Sequence, residues 1–287
     1  MKTKIIYRKP VGKQDRFIIS TTYKKTKDMR RSLEKLKGMY VNLVNCNRVS
    51  EKDTYELATA CEEVAIEGVF KDSTLTERFR FAVDRKDVVS VSKCKTVPVF
   101  VDEFSPENLR MRVYAAILQG AKGIEYQSLC DVKDGSLYQY IKELNYRITQ
   151  YGRTLMALKP IAVFCAKDVL EKYPALEKVV KPLAESMVLA EQELPEGLMI
   201  GEFADAKDER YLMIENMDAE DKATKAYTFQ LKKNFRVYRV NPHDGKQMIS
   251  KESIDMQKIL IMPGDADFLR YQDVEDEACF IEYALKK

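Results

Sequence analysis

The sequence predicts an α/β chain, with a partial parallel sheet of βαβ units followed by a small antiparallel β-sandwich domain. Three observations lead there. Up to about residue 166, short apolar runs alternate with amphipathic helical stretches, which is how βαβ units around a parallel sheet read. Beyond residue 195, short strand-like runs recur about every 10–14 residues with turn residues between them, as in a small antiparallel sandwich. Between the two, a Lys/Glu-rich helical connection is interrupted by Pro174 and Pro182. The expected division is therefore 1–166, a linker over 167–194, and 195–287.

In the first part the apolar runs are 17–22, 40–45, 63–70, 97–104, 123–129 and 161–165. Helical stretches fall near 27–37, 51–61, 76–94, 106–119 and 136–158. The run 88–92 reads equally as a strand or as the end of a helix. Ser105-Pro106-Glu107 is a helix start, with serine as N-cap and proline at the first helical position. Leu109, Val113, Ala116 and Ile117 follow at helical spacing and stop at Gly120, with Gly123 opening the next strand. A longer helix carries Tyr138, Ile141, Leu144, Ile148, Leu155 and Leu158 on one face. In the second part, strands are expected at 198–203, 210–215, 226–231, 235–240, 247–250 and 258–262. Punctuation such as Asn241-Pro242-His243-Asp244-Gly245 and Pro263-Gly264-Asp265 separates them. The stretches 268–271 and 278–285 are apolar enough to return to a sheet or dock as a tail.

Composition narrows the chemistry. The 287 residues carry 48 basic and 45 acidic side chains, a net charge of +3, too small to argue for nucleic acid or a membrane surface as partner. No apolar run is long enough for a membrane-spanning helix, and residues 1–13 lack the apolar core of a secretory signal, so a cytoplasmic protein is expected. With a single histidine, His243, a His-rich metal site is excluded, and that residue sits in a turn-forming pentapeptide. Six separated cysteines without a CxxC pair read as reduced, buried thiols. Dinucleotide, P-loop and zincin motifs are absent, and no cofactor is implied. Carboxylates, tyrosines and lysines are left to carry any reaction.

Among the carboxylates, Asp102 and Glu103 close the apolar run Val97-Pro98-Val99-Phe100-Val101 just before a capped helix. In parallel barrels the C-terminal ends of strands form the active face, and alternation puts only one of the two into its mouth. The same two acids also suit the dipole of the helix that follows. Glu67 and Glu125 lie inside apolar runs, where a glutamate is paired, at a strand end, or facing water. A pair of such acids suits glycoside hydrolysis, one protonating the leaving oxygen and the other attacking the anomeric carbon or activating water. Asn45 is placed to hydrogen-bond sugar hydroxyls, and Tyr126 to offer a stacking face.

The run from Val97 to Tyr126, with Gly120-Ala121-Lys122-Gly123-Ile124 at its end, resembles the C-terminal half of a (β/α)8 glycoside hydrolase of the family 42 β-galactosidase-like type. The helix with Leu144-Asn145 and Arg153-Thr154-Leu155 and the ending Met262-Pro263-Gly264-Asp265 add to the resemblance, which spans about residues 95–272. It implies a partial TIM-barrel-like domain followed by a β-sandwich, and hydrolysis of a β-linked glycoside with Glu103 as nucleophile. Glu67 and Glu125 are then the acid/base candidates, and Asn45, Tyr126 and Asp102 substrate contacts. A complete (β/α)8 barrel takes about 250 residues, so a truncated relative is expected, its open edge covered by a second copy or a second chain. The chain has no tryptophan, and Phe100 and Gln127 stand where such enzymes carry aromatic rings around the sugar. A non-catalytic carbohydrate-binding or assembly module is the alternative, and a small-molecule enzyme on another α/β fold stays open.

Overall fold

The computed structural model describes residues 16–46, 49–69, 97–100, 105–127, 129–191, 193–221 and 223–274. Asp102, Glu103, the helix expected at 76–94, and the apolar stretch 278–285 lie outside these residues.

The first half builds a parallel sheet. Its strands are β1 (Ile18–Thr22), β2 (Leu43–Asn45), β3 (Glu67–Val69), β4 (Val97–Phe100) and β5 (Gly123–Gln127), in the spatial order β3-β2-β1-β5-β4. Helices α1 (Met29–Gly38), α2 (Glu51–Val64), α3 (Pro106–Leu118) and α4 (Ser136–Ala157) connect or follow them. Three of the four steps run the same way across the sheet, and β3→β4 passes from one edge to the other. The steps β1→β2→β3 and β4→β5 all move the same way across the sheet, and right-handed crossovers then put their connecting helices on one face. The core agrees: Ile19, Val44, Ile124 and Tyr126 share one cluster with Leu33 and Leu36 of α1, Leu57 of α2, Val113 of α3, and Ile141 and Leu144 of α4. The alternate positions of the same strands face away, where Ile18 and Leu43 form a small cluster of their own.

Local chemistry sets the helix ends. Asp28 caps α1 by accepting from Arg31 N at 3.0 Å, and Ser105 caps α3 by accepting from Asn108 N at 3.2 Å. At the far end of α4, Lys122 donates to Leu158 O at 2.8 Å and also to Leu155 O, so an ammonium satisfies the helix's last carbonyls. Burial pushes that ammonium down to about 8.

The described strands of the second half are hydrogen-bonded into one six-stranded antiparallel sheet. Its strands are β6 (Lys159–Cys165), β7 (Leu198–Ala204), β8 (Arg210–Asn216), β9 (Lys225–Val240), β10 (Gln247–Ile261) and β11 (Ala266–Asp273), in the order β10-β9-β11-β8-β7-β6. Two sequence expectations change here. β6, grouped by sequence with the parallel half, pairs antiparallel with β7. The pairs of short runs at 226–231 and 235–240, and at 247–250 and 258–262, are each one continuous strand. The polar residues between them do not end a strand, because β10 absorbs them as register shifts between Ile249 and Met256. These long strands bring Tyr227, Phe229, Ile259 and Ile261 into the cluster formed by Leu198, Ile200, Leu212 and Ile214. Among its described residues the connection from 166 contains a short helix, α5 (Lys167–Lys172), 3-10 turns and an isolated bridge from Leu189 to Leu231.

The opposite face of this sheet packs on α3 and α4. Gly201 on β7 lies so close to α3 that a Cβ would sit 2.5 Å from Leu118 O. Gly264, at φ +60°, brings the turn before β11 within 2.5 Å (Cβ position) of Glu107 O. Arg110 of α3 donates to Gly264 O at 3.2 Å and to Pro263 O, and pairs with Asp265 at 3.5 Å. Arg147 of α4 reaches the same carboxylate at 3.1 Å. The Asp265 side chain is 6% exposed, so this triad is a buried one.

Beside it, Glu215 of β8 is fully buried and neither carboxyl oxygen has a hydrogen-bond partner among the described residues. Burial raises its carboxyl well above the usual range, the Asp265 charge adds to this, and Arg110 opposes it.

Two outcomes are expected. Asp265→Ala leaves two buried guanidinium groups without their acid and lowers unfolding free energy by about 3–5 kcal/mol in urea titrations. For Glu215 the folded pKa exceeds the unfolded one, so the native state holds the extra proton and stability falls as pH rises above the ordinary glutamate range. Glu215→Gln removes that dependence: wild type and variant match near pH 4, and the variant gains up to about 1.4 kcal/mol per pH unit above it until the raised pKa is reached.

Candidate active site

The site forms at the C-terminal ends of β1, β2 and β5, on the sheet face away from the helices. Alternation produces it. Ile19 and Thr21 of β1, and Ile124 and Tyr126 of β5, point to the helix side, which leaves Ser20, Thr22 and Glu125 on the other. The register pairs Ser20 with Glu125 and Thr22 with Asn45, so these side chains share that second face.

Glu125 is held there by two donors on one oxygen. Thr22 Oγ1 donates to Glu125 Oε1 at 3.2 Å, and Asn45 Nδ2 donates to the same atom at 3.0 Å. Thr22 is buried, and Asn45 and Glu125 are half-buried. Three strands thus fix one carboxylate at a sheet end, in a geometry suited to an acid, a base or a nucleophile. The loops beyond are joined by ion pairs: Lys24 with Asp131, and Lys25 with Asp53 at 2.7 Å. The Cys130 thiol donates to Thr22 O at 3.7 Å. Among the described residues no three His, Cys, Asp or Glu side chains converge as metal ligands would.

The structure separates the sequence candidates. Glu67 sits at the first position of β3 and pairs with Arg16, two residues before β1, at 2.7 Å. It turns towards the opposite end of the sheet from the Thr22–Asn45–Glu125 group. Asn45, expected to bind sugar hydroxyls, gives its amide to Glu125 at 3.0 Å. Tyr126, expected to stack on a sugar, is buried on the helix side. Its hydroxyl donates to Asn145 Oδ1 at 2.7 Å, and Asn145 Nδ2 donates to Met39 O at 2.8 Å. Burial raises the Tyr126 hydroxyl. His243 stays in its turn, exposed, its N–H bonded to Asn241 Oδ1 at 2.8 Å. Cys46 and Cys61 are buried and Cys130 and Cys165 half-buried, all four free thiols. Thr22 is the member that sequence reading missed. Its signal was a strand-end hydroxyl on the polar phase of β1, which only the register with β5 makes meaningful.

No protein-family model matches the chain, and no curated protein matches it. Its structural neighbours are glycoside hydrolases. A GH30 endoxylanase from Clostridium papyrosolvens is similar at a TM-score of 0.41 and 5% identity, over 91% of this chain and 97% of that one. An α-amylase from Geobacillus thermoleovorans gives 0.39 at 8% identity, over 86% of this chain and 63% of that one. A GH27 β-L-arabinopyranosidase from Geobacillus stearothermophilus gives 0.37 at 7% identity, over 86% of this chain and 61% of that one. The chain therefore spans less than two thirds of the arabinopyranosidase and the amylase. The family 42 likeness expected from sequence is not supported. Among the described residues no helix is long and apolar enough to cross a membrane.

Tyr126→Phe should leave Asn145 Oδ1 buried without its donor and lower stability by about 1–3 kcal/mol. Chemical denaturation of the two proteins measures it.

Proposed function

We propose that the protein hydrolyses a β-linked glycoside with a carboxylate pair, on the polar face of a parallel sheet that forms part of a (β/α)8-like barrel. The observation that carries this reading is the fixation of Glu125 Oε1 by Thr22 and Asn45 at the C-terminal ends of β1 and β2. The described helices packed on one face of the parallel sheet support the barrel, whose strand ends would gather polar side chains on the other face. The proposed partner of Glu125 is Glu103, three residues beyond the end of β4, the strand that pairs with β5. One acid protonates the leaving oxygen, while the other attacks the anomeric carbon or activates water. Asp102 is the neighbouring candidate for a substrate contact, and Asn45 acts by orienting Glu125.

The absence of tryptophan favours a second reading, a carbohydrate-binding descendant without turnover. Aryl β-glycosides of several sugars separate the two. Turnover by wild type that falls about 10²–10⁴-fold in both Glu125→Gln and Glu103→Gln is the expected result. Calorimetric sugar binding without turnover selects the second reading, and neither activity nor binding removes both. Loss in only one of the two variants rejects the pair.

A further inference from the structure

In the register of the parallel sheet Glu125 is level with Ser20 of β1 and, one strand further on, with Leu43 of β2. Its carboxyl does not stay in that row. It reaches two positions towards the strand ends, where Thr22 Oγ1 and Asn45 Nδ2 both donate to Oε1, at 3.2 and 3.0 Å. Thr22 and Asn45 are themselves paired across β1 and β2, so both donors come from one polar row. The apolar side chains of this face, Ile18 and Leu43, form their cluster below that row. Ser20 gives its hydroxyl to Ile124 O at 3.1 Å. Apolar surroundings favour a protonated carboxyl, which can serve as an acid, whereas hydrogen-bond donors in a half-buried setting favour the ionised form. Glu125 turns out of the first environment into the second. We infer that Glu125 is the attacking carboxylate of the proposed pair and not its proton donor, the reverse of the acid/base role expected for it from sequence. This assignment rests on the glycosidase reading above.

The same two hydrogen bonds suit every state of that reaction. Glu125 Oε2 forms a bond to the anomeric carbon while the bond from that carbon to the leaving oxygen breaks. The electron pair stays on the leaving oxygen, which takes a proton from the second acid of the pair. Oε1 becomes the carbonyl oxygen of the glycosyl ester and still accepts from Thr22 and Asn45. A water oxygen then bonds to the anomeric carbon, and its proton passes to the second acid, now a carboxylate. The ester bond breaks and its electron pair returns to Glu125. Neither donor loses its acceptor at any stage, so the donors from β1 and β2 hold the carboxyl in one orientation throughout.

Two leaving groups on the same sugar test the role. A dinitrophenolate departs without a proton, whereas a phenolate departs far faster when an acid supplies one. Wild type and Glu125→Gln are compared on dinitrophenyl and phenyl β-glycosides of several sugars. The expected result is a fall in kcat/KM of about 10²-fold or more on both leaving groups alike. Asn45→Ala, which removes one donor to Oε1, should lower kcat about tenfold on both with little change in KM and in the urea midpoint. It carries the comparison if Glu125→Gln does not fold. Proton NMR of the wild-type reaction should show the β-anomer of the sugar first, the mark of retention. Dinitrophenyl turnover that survives in Glu125→Gln while phenyl turnover is lost makes Glu125 the proton donor. That outcome overturns the assignment and leaves the glycosidase reading standing, as does the α-anomer as first product. Wild type inert on both leaving groups with every sugar removes the reading and the assignment together.

Discussion

The buried carboxylate of Asp265 holds the two halves of the protein in register. It receives Arg110 from α3 and Arg147 from α4, while Arg110 also binds the carbonyls of the turn that carries it. An ion triad taken out of water is weak evidence of net stability, since desolvation offsets most of the attraction. Its strength is geometric. A planar guanidinium that bonds two carbonyls and a carboxylate admits one orientation of helix against turn, whereas Leu118 against Gly201 or Tyr151 against Phe268 would allow some sliding. The close approaches at Gly201 and Gly264 depend on that orientation. So does the burial of Glu215, whose carboxyl that burial holds well above the usual range and which has no hydrogen-bond partner among the described residues.

The parallel sheet has a second constraint, the division of labour between its faces. Strand alternation commits Ile19, Val44, Ile124 and Tyr126 to the helix layer, and the intervening Ser20, Thr22, Asn45 and Glu125 are then forced together on the other side. Three polar side chains gathered on a sheet face need mutual hydrogen bonds to offset lost hydration, and the bonds from Thr22 and Asn45 to Glu125 supply them. What stabilises the sheet end also aims the carboxylate. These bonds are why one glutamate in an apolar run can be kept without cost to the core.

Much of this could be read in the sequence, for physical reasons that differ from element to element. The cap at Ser105 is local, and local chemistry fixes that helix start. Glu125 was legible as an acid in a strand, and Asn45 as a strand-end amide, but that one donates to the other depends on β1 lying between β2 and β5. No spacing along the chain encodes that order. Tyr126 fails as a stacking residue for the same reason, because sequence gives its alternation with Glu125 and leaves open which phase meets the helices. β9 and β10 were cut in two because runs such as Lys232-Lys233-Asn234 look like turns. In β9, buried on alternate residues towards both ends and exposed through Lys232-Lys233-Asn234, polar residues mark exposure and leave the strand unbroken.

β6 carries the consequence for how the halves cooperate. The chain leaves α4 and enters β6 within two residues, and β6 pairs at once with β7. The last helix of the parallel half is therefore covalently and sterically continuous with the first strand of the antiparallel sheet. Arg147 of α4 repeats that connection through Asp265 at the other side of the sheet, on the turn into β11. Two attachments on strands at different places in the order β10-β9-β11-β8-β7-β6 prevent rotation about either one. The antiparallel sheet thus acts as a rigid back wall for α3 and α4. Those helices bury the strand β5 that carries Glu125, so the second half supports the site without contributing a side chain to it.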